Sequence, residues 1–430
     1  TDIEVEPEGN AMPNAQIANQ PIIAISFVSK GKKLILVLKR PGIAEGTKEY
    51  DGEVMFFVSE YDLLLTAFDI IRTYPFVITF NGDGFDLLYM YNRSRKLRIP
   101  QSYNPIRLSK RICRLENGIH IDLYPFMKNP SIQNYAFGAK YKQFKLEDIA
   151  QGVLGYGKID HVGVGIGQMD YTLLANYCLL DSEIVYNLMT FGGDITINLI
   201  MSLCRMANTS VYNITRRAIG DWVKGTFCFL SRMRGNLIPN QSQLRSKGSI
   251  QTVADIKGKK YRGAIVQEPK PGIFFKVVVM DFASLYPTEV KERNIGHASI
   301  NCGHPECRSN IVPDTTHHIC TINRAIESEV IGALRDVRIF RYKALGKTSE
   351  YYNTLQQAIK VYINAAYGVF GSEVFDLYCA PVAEAIASYS RDDMTKVVDR
   401  CDEMGIIIIG GDTDSVFLHA PTKEQTAKIQ

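Results

Sequence analysis

"IIIIGGDTDSVF", residues 406–417, runs four isoleucines into two glycines and then two aspartates, Asp412 and Asp414, with only Thr413 between them. An apolar run of that length reads as a buried strand. The Gly/Asp-rich segment behind it reads as a hairpin turn. A second stretch has the same design. In "KVVVMDFASLYPT", residues 276–288, an apolar strand ends at Asp281, and the chain turns through Ser284, Leu285, Tyr286 and Pro287. Neighbouring strands that both end in carboxylate put Asp281 beside Asp412 and Asp414. Three acids that close repel one another unless cations sit between them. Magnesium is the expected partner, because it accepts a few carboxylates together with substrate phosphates.

Between these strands lies "LQQAIKVYINAAYG", residues 355–368. At helical spacing Gln356, Lys360, Asn364 and Tyr367 share one face, and Leu355, Ile359, Tyr362 and Ile363 cover much of the rest. A lysine on an otherwise neutral face beside a metal site suits a phosphate as a point charge. Upstream, "ALRDVRIFRYK" adds Arg335, Arg338, Arg341 and Lys343. A second helix antiparallel to the first would aim some of them at the same phosphates.

The N-terminal half supplies another acidic set. Asp2 and Glu4 stand two apart on a predicted strand and so point to one face. "FNGDGFD", residues 80–86, offers Asp83 and Asp86 in a Gly-rich turn, and "YCLLD" places Tyr177 and Asp181 four apart on one face of a helix. Such a group suits two divalent ions, one activating water and the other steadying the leaving oxygen.

The chain has 430 residues, 46% of them apolar and 22% charged, enough for two or more packed domains and too ordered a composition for an unfolded chain. The net charge of +4 is too mild to imply a nucleic-acid partner by itself. No uninterrupted apolar run reaches membrane-spanning length, so a soluble, cytoplasmic protein without membrane partners is expected. Residues 1–190 alternate strand-like runs (21–28, 33–38, 76–80) with helical stretches (59–73, 170–190), an α/β pattern. Residues 191–240 read as helical, residues 241–270 as a basic, Gly/Pro-rich linker, and residues 325–368 as helical with a break at 345–349. A last helix over 383–404 precedes the opening strand. The abrupt ends read as those of a fragment.

Taken in order, these motifs resemble those of family B DNA polymerases of the archaeal replicative type. "DFASLYPT", "KVYINAAYG" and "GDTDS" look like the family's first palm, fingers and second palm motifs; "DIE", "NGDGFD" and "YCLLD" look like its three proofreading exonuclease motifs; "YRGA", residues 261–264, resembles the loop that holds the template. The resemblance implies an α/β and α+β multidomain fold. Its parts would be a ribonuclease-H-like 3′-5′ exonuclease domain (1–190), a helical segment and template-loop linker (191–270), a palm with an antiparallel sheet (271–324 and 369–430), and a helical-hairpin fingers segment (325–368). It also implies template-directed synthesis at a primer 3′ end with proofreading, in DNA replication. The alternatives are a nuclease or a non-catalytic scaffold derived from such a polymerase.

By the same resemblance Asp281 and Asp414 bind the polymerase metals with the Phe282 carbonyl, and Asp412 stands nearby. Lys360 and Arg335 hold the triphosphate with Asn364, next to Ser284 and Leu285. Tyr286 packs under the incoming sugar and Tyr367 faces the nascent pair. Asp2, Glu4, Asp86 and Asp181 bind the exonuclease metals, Tyr177 orients the attacking water, and Asp83 shapes the turn. The expected ions are two Mg2+ per site, with Mn2+ as substitute. The expected partners are primer-template DNA, deoxynucleoside triphosphates and, through parts outside this stretch, a sliding clamp or accessory subunits. An N-terminal domain and a thumb are expected to flank the segment, and a nucleoid location follows if the source is archaeal. Gly410 stands where the family often has tyrosine, Ala365 and Thr288 where it usually has serine.

Two further features stay open. "KGKKYRGA" carries Lys257, Lys259, Lys260, Tyr261, Arg262 and Gly263, a basic loop expected to track template phosphates. "CGHPECRSNIVPDTTHHIC" gathers Cys302, His304, Cys307, His317, His318 and Cys320, the ligand types of a zinc site with a loose C-x4-C spacing. The resemblance favours a Cys307–Cys320 disulfide there over zinc, with free thiols the third alternative.

Overall fold

Alternation along the first strands sets the layering of the N-terminal half. In this computed structural model, which describes residues 1–7, 13–47, 49–157, 165–253, 262–263 and 265–429, β1 (Asp2–Val5), β2 (Ile22–Ser29), β3 (Lys32–Leu38) and β4 (Glu53–Phe57) form one sheet in that order. The first two pairings are antiparallel and β3–β4 is parallel. Leu36 and Leu38 face one way, with Ile3 and Val5, against Leu63, Leu64, Ala67 and Phe68 of the helix Glu60–Thr73. Ile35 and Val37 face the other way, against Tyr171, Ala175 and Leu179. Two-residue periodicity thus sends alternate side chains to helices on opposite faces. Asp2 and Glu4 lie on the side of β1 opposite Ile3 and Val5.

The remaining strands of this half pair as β5 (Phe76–Thr79) with β8 (Ile119–Asp122), parallel, and β6 (Ile106–Ser109) with β7 (Ile112–Leu115), antiparallel. The helix Tyr171–Ala207 is long and apolar enough in composition to cross a bilayer, but its path breaks at Phe191–Asp194. Gly192, Gly193 and Asp194 adopt φ of 58°, 77° and 68° there, and its first half packs on the sheet.

The chain divides into two compact units, Thr1–Arg205 with Thr209–Ala218, and Met206–Asn208 with Ile219–Gln430. The second is built on an antiparallel sheet in the order β10-β12-β11-β9, with β9 Val266–Gln267, β10 Val277–Asp281, β11 Ile407–Asp412 and β12 Ser415–His419. The helix Ala380–Glu403 covers one face, where Met394 and Cys401 pack with Ile406, Val416, Leu418 and Leu285. The other face leaves Val279 and Ile407 half exposed.

A helical excursion interrupts this sheet. The α-helix Ile326–Asp336 passes into a π-helical turn, Val337–Tyr342, and a short segment, Lys343–Leu345. After a four-residue connection the helix Glu350–Phe370 returns, stacking Tyr352 on Tyr342 with centroids 5.7 Å apart. Tyr362 fixes it from below, donating to Thr226 Oγ1 on the helix Ile219–Met233 at 2.6 Å.

Candidate active sites

In the first unit, β1 and the helix Tyr171–Ala207 bring three carboxylates together. The ligating oxygens of Asp2, Glu4 and Asp181 all lie within 4.8 Å of one another, and Glu4 and Asp181 are buried. Their two-residue and one-helix origin matches the sequence spacing. Tyr177 is half-buried one turn before Asp181 on the same helix. The negative field is felt by Cys178, whose thiol is pushed up by burial and then by Asp2, Glu4 and Asp181. Three largely buried carboxylates this close fit a divalent cation.

Asp86 is not part of that trio. It opens the helix Asp86–Lys96, is almost fully buried, and accepts the Ile3 backbone N–H at 3.3 Å. Burial, aided by the charge of Asp122, pushes its carboxyl up to about 7. Asp83, read from sequence as a turn former, is an ion-pair residue. Arg216 Nε donates to it at 2.6 Å, the Cys113 N–H at 2.9 Å, and His120 Nδ1 lies 3.4 Å away. Burial alone would raise its pKa; His120 and Arg216 outweigh that and hold it at about 2. Asp122 accepts the N–H groups of Asn81, Asp83 and Tyr124. The Asp83–His120–Asp122 group is therefore already satisfied by the protein.

In the second unit, strand register delivers the other acids. Asp281 pairs with Ser415 on one side of β12 and Asp412 pairs with Ser415 on the other. The ladder continues as Phe282 N–H donates to the Asp414 carbonyl at 2.8 Å. Thr413 takes φ 52°, and Asp414 N–H reaches back to the Asp412 carbonyl at 2.5 Å, a tight reversal. Asp414 is half-buried and its carboxyl is raised, by burial first and then by Asp281 and Asp412. Asp412 is exposed, with its Oδ1 accepting the Thr413 hydroxyl at 2.9 Å. Asp281 and Asp414 thus face each other, and Asp412 stands outside. A pair of carboxylates on adjacent positions of one antiparallel sheet fits a divalent ion. Gly411 makes the hairpin possible, because a Cβ there would sit 2.8 Å from the Ser415 carbonyl oxygen. At Gly410 the nearest atom would be 3.5 Å away, an ordinary contact.

Lys360 faces these acids. Its ammonium pKa is lowered by burial and by Arg338 and Lys343, with Asp281 and Asp414 opposing. Asn364 follows one turn later, half-buried. Tyr367 packs on Tyr286 with ring centroids 4.2 Å apart. Ser284, in a left-handed conformation at φ 61°, caps the helix Leu285–Glu292, so the first N–H groups of that helix, beginning at Leu285, lie just beyond Asp281. Arg335 is engaged elsewhere: it donates to Thr288 Oγ1 at 3.0 Å and to Asp336 at 2.8 Å. Arg338 donates to Ser284 Oγ at 2.9 Å while its buried Nε has no hydrogen-bond partner among the described residues. The π turn beginning at Val337 shifts the phase of the helix between the two arginines, which a 3.6-residue reading does not anticipate.

Lys259, Lys260 and Tyr261 of the basic loop lie outside the described residues, as does Lys257. Arg262 and Gly263 are exposed, and their carbonyls accept from Arg391 Nη1 at 2.6 and 3.0 Å. All nine cysteines are free thiols. The Cys307–Cys320 bridge expected from the resemblance is not formed; the two sulfurs are 3.9 Å apart, within a larger cluster.

Comparison with known proteins places this geometry. The model of DNA polymerase family B matches residues 223–430, and that of the DNA polymerase family B exonuclease domain matches residues 1–137. DNA polymerase 1 of Aeropyrum pernix is 37% identical over 98% of this chain and 45% of its own length. DNA polymerase 1 of Saccharolobus solfataricus is 39% identical over the whole chain and 50% of its own length. The solved family B DNA polymerase of Pyrobaculum calidifontis superposes with a TM-score of 0.69 at 20% identity, covering all of this chain and 54% of that one. The chain belongs to the family B DNA polymerases. It spans about half the length of the curated relatives it matches.

Proposed function

We propose that this chain carries the catalytic groups of a template-directed DNA polymerase with a 3′-5′ proofreading exonuclease, acting in DNA replication. The observation that carries the reading is the Asp281–Asp414 pair on one antiparallel sheet, Asp281 ending β10 and Asp414 in the turn between β11 and β12, with Lys360 facing it. In this reading residues 1–190 are a ribonuclease-H-like exonuclease domain and residues 191–270 lead into a palm, 271–324 and 369–430. The helices within 325–368 are the fingers hairpin.

Asp281, Asp414 and the Phe282 carbonyl would hold the metal pair, with Asp412 adjusting the field from outside. When bound, two Mg2+ ions, or Mn2+ in their place, acidify the attacking hydroxyl and neutralise the leaving pyrophosphate. The chain's own groups do the rest. Lys360 and Asn364, with Arg338, bind the triphosphate and stabilise charge that builds in the transition state. Arg335 reaches the same phosphates only by giving up Thr288 and Asp336. The Ser284–Leu285 backbone at the helix N-terminus adds N–H donors for phosphate oxygens. Tyr286 supports the sugar and excludes a 2′-hydroxyl, and Tyr367 faces the nascent pair. At the editing site Asp2, Glu4 and Asp181 would bind the metals and Tyr177 would orient the attacking water. Asp86, buried beside them, would join the set once a cation offsets the burial that raises its pKa. The Tyr261–Gly263 loop with Lys259 and Lys260 tracks the template. Primer-template DNA and deoxynucleoside triphosphates are the substrates, and a sliding clamp binds through other parts of the protein.

Primer extension by the protein and its Asp414→Ala variant tests the first site: extension that survives the substitution removes the assignment. Degradation of a frayed 3′ end by an Asp2→Ala/Glu4→Ala variant tests the second. A nuclease with an idle polymerase site would keep only the second reaction, and a scaffold neither.

A further inference from the structure

Between the helices Leu285–Glu292 and Ile326–Asp336 the chain makes a long irregular loop whose interior is a cluster of cysteines. Cys302, Cys307 and Cys320 form a packing cluster of their own, with no aliphatic or aromatic member. Cys307 and Cys320 are fully buried and Cys302 nearly so. The structure around them is slight: a 3-10 turn, Pro305–Ser309, and single β-bridges from Ile300 to Ile319 and from Ile311 to His318. Free thiols are weak hydrogen-bonding groups and give such a loop little reason to hold one shape.

The fourth member is His304. One ligand atom from each of Cys302, His304, Cys307 and Cys320 lies within 4.8 Å of all the others. Cys307 Sγ is 3.9 Å from Cys320 Sγ, and Cys320 Sγ is 3.4 Å from His304 Nδ1. A tetrahedral zinc with the usual bond lengths separates two sulfurs by about 3.8 Å and a sulfur from an imidazole nitrogen by about 3.6 Å. These two separations therefore already match those such an ion requires, and the remaining ones are no longer than 4.8 Å. A disulfide would use two of the thiols and leave Cys302 and His304 converging on nothing.

The surroundings match thiolate rather than thiol chemistry. The backbone N–H groups of Thr321 and Asn323 donate to Cys307 Sγ at 3.4 Å and to Cys320 Sγ at 3.3 Å. Such donors disperse the charge of metal-bound sulfur and fix its direction. The imidazole of His318 instead contacts the Cys302 carbonyl at 3.0 Å, and His317 lies against Asn301 and Glu384. The two remaining histidines thus brace the loop from outside the cluster.

The geometry points to a structural zinc site, Cys302–His304–Cys307–Cys320, closed by four protein ligands with no open position. Its consequence is local order. The loop it staples presents His317 to buried Glu384, whose carboxylate also accepts the N–H groups of Gln251 and Thr252, the segment leading into the basic loop. Zinc would hold this junction in place of a hydrophobic core.

The test is metal and thiol analysis of this 430-residue chain, purified without chelator or histidine tag. About one zinc per chain is expected, with all nine cysteines titrating as thiols after unfolding with chelator. Cobalt exchanged into the same protein should show thiolate-to-cobalt charge transfer and intense tetrahedral d–d bands, a readout that needs no variant. His304→Ala and Cys302→Ser should each weaken zinc retention at least roughly tenfold. Two fewer thiols with no metal would establish the Cys307–Cys320 disulfide and overturn the site. Nine thiols without metal, or zinc retained undiminished in both variants, would overturn it equally.

Discussion

Tyr286 lies against Tyr367, with ring centroids 4.2 Å apart and planes inclined by 33°. One ring comes from the helix that follows Asp281 and the other from the helix that carries Lys360, so the pair links acid and base sides of the proposed polymerase site. Each ring limits the rotamers of the other. Tyr286→Ala is expected to admit ribonucleotides, raising their relative incorporation by roughly tenfold or more, since removing a whole ring opens more room than a methylene does. Tyr367→Ala should have a smaller effect on sugar choice and a larger one on misincorporation. Single-nucleotide extension with matched ribo- and deoxynucleotides measures both. Unchanged sugar discrimination in Tyr286→Ala would remove that ring from the sugar's path.

The two glycines before Asp412 are predicted to behave differently. A methyl group at Gly411 meets the Ser415 carbonyl oxygen at 2.8 Å, a backbone atom of the partner strand, so the hairpin must open to receive it. Gly411→Ala should cost roughly 1–3 kcal/mol and displace Asp412 and Asp414 enough to abolish extension. Gly410→Ala meets nothing closer than 3.5 Å and should be close to neutral in both respects. Thermal unfolding and extension rates of the two variants, side by side, decide the matter.

The parts of this architecture written in local sequence were legible. The acid-ended strands, Asp2 and Glu4 on one side of a strand, and the helical break near Leu345–Ser349 all follow from periodicity within a few residues. What escaped depends on distant chain or on an exception to the period. The Asp83–Arg216 pair joins residues 133 apart, and no spacing rule links them. The two-residue strand β9 lies in what reads as a linker, and exists because Val266 and Gln267 pair with Asp412 and Gly411. Asp86 reads as one more metal acid; the burial that keeps its carboxyl near 7 belongs to tertiary packing. The π turn at Val337–Tyr342 adds a residue to one helical turn, and so redirects the arginines that a regular helix would have aimed otherwise.

That redirection is testable at the arginines themselves. Arg338 lies close enough to Lys360 to lower its pKa and, among the described residues, holds the Ser284 hydroxyl. Arg335 is tied to Asp336, which also pairs with Lys291 at 3.0 Å. Arg338→Ala should raise the nucleotide KM about tenfold, equivalent to ~1.4 kcal/mol, with little change in thermal stability. Arg335→Ala should show the opposite balance, a lower melting temperature with a smaller change in KM. Steady-state kinetics with a melting curve for each variant separates binding from scaffolding. Equal KM effects at the two positions would mean that Arg335 exchanges its partners when nucleotide arrives.

A pH effect on stability follows from the helix behind Tyr286. Glu289 is buried, 3% exposed, and stands beside Asp393, which Arg293 clasps through two contacts of 3.0 Å. Arg293 also reaches Glu289 at 3.3 Å, and its guanidinium lies over the Tyr389 ring at 5.0 Å. Arg293 serves both acids, and Lys396 pairs with Asp393 and Asp392. Burial, then the charge of Asp393, pushes the Glu289 carboxyl from 4.5 up to about 7. The folded protein therefore keeps a proton that the unfolded chain releases between those values. This contribution to stability is complete below the unfolded pKa and is lost as pH rises through about 7. The loss amounts to at most about 3 kcal/mol. Glu289→Gln, which mimics the protonated acid without titrating, should flatten this component. Other raised carboxyls such as Asp122 titrate in both proteins, so the difference between wild type and variant isolates Glu289. Melting temperatures measured from about pH 5 to about pH 8 should converge at the acidic end and separate at the alkaline end, with the variant the more stable there. A constant gap across the range would show that Glu289 is already ionised in the folded protein, with Arg293 balancing both acids.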